Sequence, residues 1–172
     1  MRKQITFITQ AGIIAALYVV LTVFINAFNL ASGAIQVRIS EALCVLPFFT
    51  PAAVPGVIIG CFLSNIITGA LLPDIIFGTL ATAVGAVLSL LLRKNRILVT
   101  IPPVVANMII IPFVLKYAYH LEDAVWFLMV TVGAGEVISC IGLGSVLITA
   151  LMPIRNKIFG EAYLPQSNKK TA

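Results

Sequence analysis

Six polar side chains stand out in an otherwise apolar chain: Arg38, Glu41, Asn65, Asp74, Asn107 and Glu136. Arg38 and Glu41 fall three residues apart in QVRISEAL, Gln36 to Leu43, beside long apolar runs. Glu136 lies about eleven residues inside the last apolar segment, with Gly133 at i−3, Ser139 at i+3 and Cys140 at i+4 on its helical face. A charge at that depth costs on the order of a few kcal/mol and usually faces a bundle interior or a cavity. Asn65 shares a helical face with Cys61 and Thr68, and Asn107 interrupts the fifth apolar segment. Two carboxylates, a guanidinium and two carboxamides directed toward one leaflet suit hydrogen-bonded recognition of a small polar ligand. Asp74 follows Pro73 at a helix start, where a carboxylate suits the helix dipole, so by itself it reads as a cap. The competing reading is internal pairing, with Arg38 neutralising Glu41 or Glu136 in a structural subunit that binds nothing.

Other chemistries find little support. Cys44, Cys61 and Cys140 lie in apolar segments without metal-like spacing and read as small packing residues. His120 is the only histidine and falls in a loop. No phosphate-binding loop of the Gly-x-x-x-x-Gly-Lys-Ser/Thr type occurs, so ATP would have to be hydrolysed elsewhere. No nucleophile is paired with a base, and Ser64 and Ser139 read as packing or hydrogen-bonding serines, which argues against an intramembrane enzyme. No metal or other cofactor is expected in this chain. A continuous proton path would need polar residues in both halves of the bilayer, and they are concentrated in one.

The elements that must hold these residues follow from composition. The chain has 172 residues, 60% of them hydrophobic and 10% charged, with mean hydropathy +1.11. A soluble domain carries about a quarter charged residues. Continuous rather than alternating apolar runs predict an all-α integral membrane protein, a single transmembrane domain over 1–172. Six segments are expected, near 5–27, 35–50, 54–72, 75–92, 97–115 and 124–152. Pro51, Pro55, Pro73-Asp74, RKNR (Arg93 to Arg96) and KYAYHLED (Lys116 to Asp123) mark the breaks. The second segment is short, about 24 Å at 1.5 Å per residue. The N-terminal run, about 23 residues, exceeds a typical signal-peptide core and reads as a retained first helix. The tail after Arg155 is polar and is expected to fray.

Six spans put both termini on one side. Arg2, Lys3, Arg93, Lys94, Arg96, Arg155, Lys157, Lys169 and Lys170 then share that side, and only Arg38 and Lys116 lie opposite. This split, nine to two, makes the termini cytoplasmic in a cell membrane. The net charge of +5 therefore reflects topology and gives no case for nucleic acid. Trp126, Tyr117 and Tyr119 fall at the outer face as interfacial aromatics. Small residues recur at four-residue spacing: Ala11 with Ala15, Gly12 with Ala16, and Gly56 with Gly60. Such pairs let helices approach closely. The first pair is the better candidate for contact with a partner subunit.

From QVRISEALCVLPFF onward the chain resembles the QueT family of queuosine-precursor transporters. The resemblance continues through GCFLSNIITG, LLPDIIFGTLATAVGA, IPPVVANMIIIPF and VGAGEVISCIGLG, in order, over most of residues 35–145. It implies the substrate-binding S component of an energy-coupling factor transporter, a six-helix bundle. Such a subunit docks on a transmembrane T component and two ATPase subunits, and Ala11 and Ala15 match the group's small-residue docking motif. The resemblance carries Arg38, Glu41, Asn65, Asp74, Asn107 and Glu136 over as substrate-binding positions. The implied ligand is a 7-deazaguanine, whose edge presents parallel N–H donors beside a carbonyl. Glu41 and Glu136 are the natural pair to meet those donors and a ligand cation, in either order, with Arg or Asn on the carbonyl. An S component for another vitamin-like molecule is the nearest alternative.

Overall fold

In hydrocarbon every backbone N–H must find its acceptor within its own segment, so continuous apolar runs wind into helices. The computed structural model describes residues 2–27 and 38–160, and no strand occurs among them. Helix α1 is Arg2–Ala27. A 3-10 helix, Ile39–Phe48, comes next, then α2, Ala53–Ile67, and α3, Leu72–Leu91. A 3-10 turn, Leu98–Thr100, leads into α4, Ile101–Tyr117. The last helical run, Val125–Phe159, is continuous but changes winding along its length. It comprises α5 (Val125–Glu136), a π-helical segment (Val137–Leu143), α6 (Gly144–Leu151), a 3-10 turn (Met152–Ile154) and α7 (Arg155–Phe159).

Among the described residues six helical segments are therefore present where six were expected, with shifted limits. Residues 35–37 of the expected second segment, including Gln36 and Val37 of QVRISEAL, lie outside the described residues, as does the tail beyond Gly160. The described part of that segment is 3-10 rather than α-helical. At about 2.0 Å per residue, its ten residues rise only about 20 Å. The third segment starts at Ala53, with Pro55 tolerated in its first turn, and ends at Ile67 rather than residue 72. A turn through Gly69, at φ +72°, follows it. The fourth begins at Leu72, with Pro73 inside its first turn. Among the described residues four helices, Gln4–Ala27, Leu72–Leu91, Leu98–Tyr117 and Val125–Phe159, are long and apolar enough to cross a membrane.

The 3-10 helix is the axis of the bundle. Every residue from Ser40 to Phe48 is buried. Leu43, Val45, Leu46 and Phe48 join Ile14 and Tyr18 of α1, Val57 of α2 and Ile148 of α6 in one core. A second core joins α3, α4 and α5 through Ala81, Ile111, Leu115, Leu128 and Val132. At the end where α1 begins, Gln10 donates through Nε2 to the Ile158 carbonyl at 3.1 Å, and its Oε1 accepts from Thr50 Oγ1 at 2.8 Å. Phe49 stacks on Phe159 with centroids 5.0 Å apart. These contacts tie α7 beneath the 3-10 helix.

Two helix pairs approach too closely for side chains at the crossing. A Cβ on Gly60 would lie 2.6 Å from the Cβ of Tyr18 and 3.0 Å from the Ala15 carbonyl oxygen. One on Gly56 would lie 2.9 Å from the Ala11 carbonyl oxygen. The Gly-x-x-x-Gly pair thus seats α1 on α2. Ala15 is buried in that seam and Ala11 half-buried, while Gly12 and Ala16 are exposed on the outward face of α1. At the second crossing, a Cβ on Gly85 would lie 2.8 Å from the Pro103 Cα, where α3 meets the first turn of α4.

Candidate ligand-binding site

At the opposite end of the bundle lies a cavity of about 680 Å³. The C-terminal turns of α1, α2 and α4, the start of α3, the first turns of α5 and the connection 118–124 surround it. Arg38 reaches it because its backbone is extended, φ −103° and ψ 95°, just before the 3-10 helix begins. The guanidinium therefore leaves the face on which Glu41 turns inward. Its Nη2 lies 3.9 Å from Asp74 Oδ2. Asp74 occupies the first turn of α3, behind an N-cap position held by Leu71. Its Oδ2 accepts the Tyr119 hydroxyl at 3.1 Å, and the same hydroxyl oxygen accepts the Leu71 N–H at 3.3 Å. Asp74 Oδ1 is buried and has no partner among the described residues. Asn65, 4% exposed, reaches the cavity from α2, and its Nδ2 makes only a 3.6 Å contact with Cys61 Sγ.

Arg38, Asn65 and Asp74 thus come together at the cavity wall. Glu41, Asn107 and Glu136 do not line it; they are 1%, 3% and 5% exposed and form a buried polar layer among the surrounding helices. Within that layer Glu41 Oε1 accepts a short bond from the Tyr18 hydroxyl, and Oε2 accepts the Cys44 thiol at 3.1 Å. The Cys140 thiol lies 3.4 Å from Glu136 Oε2 and equally far from the Glu41 carbonyl oxygen. Asn107 reaches toward Glu136, but its Nδ2 closes no hydrogen bond of good geometry. The π-helical segment begins directly after Glu136 and carries Ser139 and Cys140 toward the 3-10 helix. π-helical turns inside helices are uncommon and occur often at functional sites. Carboxylate oxygens of Glu41 and Glu136 and the Cys140 sulfur lie within 4.8 Å of one another. This is the one convergence of three metal-type donors among the described residues. Its members are already hydrogen-bonded to neighbouring thiols and to Tyr18.

The internal pairing expected for Arg38 does occur, but with Asp74 rather than with Glu41 or Glu136. Sequence reasoning missed Tyr18, whose signal was a lone tyrosine in the apolar first segment. It also missed Thr22 and Ser40, hydrogen-bonded at 2.8 Å and lining the cavity. Tyr119, which the sequence places at the interface as an aromatic, is 38% exposed and also faces the cavity. Burial raises its hydroxyl pKa; the Leu71 N–H opposes this, and nearby Asp74 adds to it. The hydroxyl therefore remains a donor at neutral pH.

The family model of the QueT transporter matches residues 8–153, most of the chain and all six candidate site residues. The chain belongs to the QueT transporter family. That family is one of transporters rather than enzymes, and with the four long apolar helices it makes this a multi-pass membrane protein. A curated relative, the queuosine precursor transporter QueT of Lactococcus lactis subsp. cremoris (strain MG1363), is 39% identical over 93 residues. The match covers 54% of this chain and 54% of the relative, so it spans about half the relative's length. No solved structure matches the chain. In QueT-family terms, the cavity and the buried polar layer are this member's candidates for substrate handling.

Proposed function

We propose that this chain is the substrate-binding S component of an energy-coupling factor transporter, taking up a 7-deazaguanine queuosine precursor. The observation that carries the reading is the cavity with Arg38, Asn65 and Asp74 on its wall, in a chain of the QueT transporter family. A 7-deazaguanine presents N–H donors beside a carbonyl. Asp74 supplies acceptors, and Arg38 and Asn65 supply donors for the carbonyl. Glu41, Asn107 and Glu136 support the site from the buried layer beneath it. In this reading residues 1–172 form one six-span domain in the cell membrane, resembling other S components. A transmembrane T component assembles with it, and two ATPase subunits supply the energy.

The docking face on this proposal is α1. Ala15 is committed to the α1–α2 seam, so the outward partner surface centres on the neighbouring pair Gly12 and Ala16, with Ala11 at its margin. Purified wild-type protein should bind a 7-deazaguanine in equilibrium titration, and Gly12→Leu should preserve that binding while abolishing uptake in cells. No binding to the folded wild type would remove the proposed substrate. Normal uptake by Gly12→Leu would move the docking face elsewhere.

Orientation is tested separately. The cavity end carries Arg38 and Lys116, and the other end carries Arg93, Lys94, Arg96, Arg155 and Lys157, an asymmetry that supports an outward-facing cavity. A cysteine at His120 should react with an impermeant thiol reagent on intact cells, and one at Asn95 should not. The reverse pattern would invert the orientation.

A further inference from the structure

The connection between α4 and α5 does more than close the chain. It crosses one side of the cavity as a strap, residues 118–124, and contributes Tyr119, Leu121 and Asp123 to the lining. Its base is held by Tyr119 N–H to the Val114 carbonyl at 3.3 Å and Leu121 N–H to the Leu115 carbonyl at 3.2 Å. Lys116 Nζ donates to the carbonyls of Glu122 and Asp123 at 3.1 and 3.0 Å. His120, at φ +55°, turns the chain sharply after Tyr119. The far side of the strap reaches the α2–α3 turn through the Tyr119 hydroxyl, which bonds Asp74 Oδ2 and the Leu71 N–H.

Asp74 is short of donors in this arrangement. An ionised carboxylate offers about four acceptor positions. Here one oxygen takes a single hydroxyl bond and a guanidinium at 3.9 Å, and the other is buried with no partner among the described residues. A buried polar atom without a partner calls for an explanation, commonly an unfilled ligand or water position. A ligand N–H directed at Oδ2 would find the tyrosine hydroxyl already in its place.

We propose that Tyr119 is a latch: its hydroxyl stands on Asp74 in place of the ligand's N–H donor and is displaced, with the strap, when ligand binds. The inference rests on the proposed 7-deazaguanine reading for its ligand and specifies how that ligand enters. It also fixes the sign of a substitution. If binding must break the hydroxyl bond, removing the hydroxyl removes a cost and raises the fraction of binding-competent protein. A tyrosine that instead holds Asp74 in its bound position would produce the opposite change.

The experiment compares wild type, Tyr119→Phe and Asp74→Asn by equilibrium and stopped-flow binding of 7-deazaguanine. Tyr119→Phe should bind roughly tenfold tighter, the equivalent of one modest hydrogen bond, chiefly through faster association. Asp74→Asn should bind at least roughly tenfold more weakly, because Arg38 and Tyr119 hold the amide oxygen and turn its NH2 toward the ligand's donors. Unchanged or weaker binding by Tyr119→Phe overturns the latch. If folded wild type binds no 7-deazaguanine, the substrate reading fails by itself, and amide exchange then decides the latch. Faster exchange at Tyr119 and Leu121 in Tyr119→Phe supports it, and unchanged protection overturns it.

Discussion

Arg38→Ala should lower affinity for a 7-deazaguanine by about 2–5 kcal/mol while costing the fold only about 1 kcal/mol. The two magnitudes differ because the residue has two partners of different quality. Its ion pair with Asp74 spans 3.9 Å and its side chain is 23% exposed, so solvent screens the attraction and its loss is mild. Toward a ligand it is the only lysine or arginine among the described cavity residues, and nothing nearby replaces its donors. Alanine also leaves Asp74 with the Tyr119 hydroxyl as its one remaining side-chain partner, which strengthens the case for checking folding beside affinity. Isothermal titration on monodisperse protein, with thermal unfolding alongside, measures both. Affinity within about threefold of wild type, less than 1 kcal/mol, would return Arg38 to a purely structural role.

Gly85→Ala should destabilise the protein by about 1–3 kcal/mol, the usual cost of overpacking a tight crossing. The added Cβ would sit 2.8 Å from the Cα of Pro103, a backbone atom in the stiff first turn of α4. No flexible side-chain tip is available to give way, so α3 and α4 must separate. Gly12→Ala provides the control, because a Cβ there meets nothing within 4 Å. In that variant the better helix propensity of alanine should leave stability unchanged or raise it by about 0.5–1 kcal/mol. Thermal unfolding in one detergent distinguishes them, and equal stability of the two variants would mean that the α3–α4 crossing accommodates a methyl group without cost.

Much of this architecture was legible in the sequence because hydrocarbon makes simple demands. Apolar runs had to be helices, and prolines and basic turns marked their ends to within a few residues at most boundaries. What stayed hidden was winding. Ile39–Phe48 is apolar nearly all round, so its periodicity could not separate a 3-10 helix from an α-helix; packing on every side sets it. The π-helical turn after Glu136 interrupts no apolar pattern and left no trace. The site was legible as a set of residue types but not as a layout. Arg38 and Glu41 are three residues apart, yet one extended residue at the start of the 3-10 helix sends them to different partners. Asp74 looked like a helix cap because Pro73 precedes it, and only the tertiary fold brings Tyr119 across to it. The polar layer under the cavity was equally invisible, since Tyr18, Glu41 and Cys140 come from three separate elements.

The short 3-10 helix also has a consequence for life in different bilayers. Lipid-facing helices answer hydrophobic mismatch by tilting or by deforming the surrounding membrane. Ile39–Phe48 is far shorter than the acyl layer, yet from Ser40 onward it touches no lipid, because its neighbours enclose it. Membrane thickness therefore acts on it only through those neighbours. An element that carries Glu41 and sets the position of Arg38 is in effect jacketed against its solvent, and changes in lipid chain length are taken up first by the outer wall.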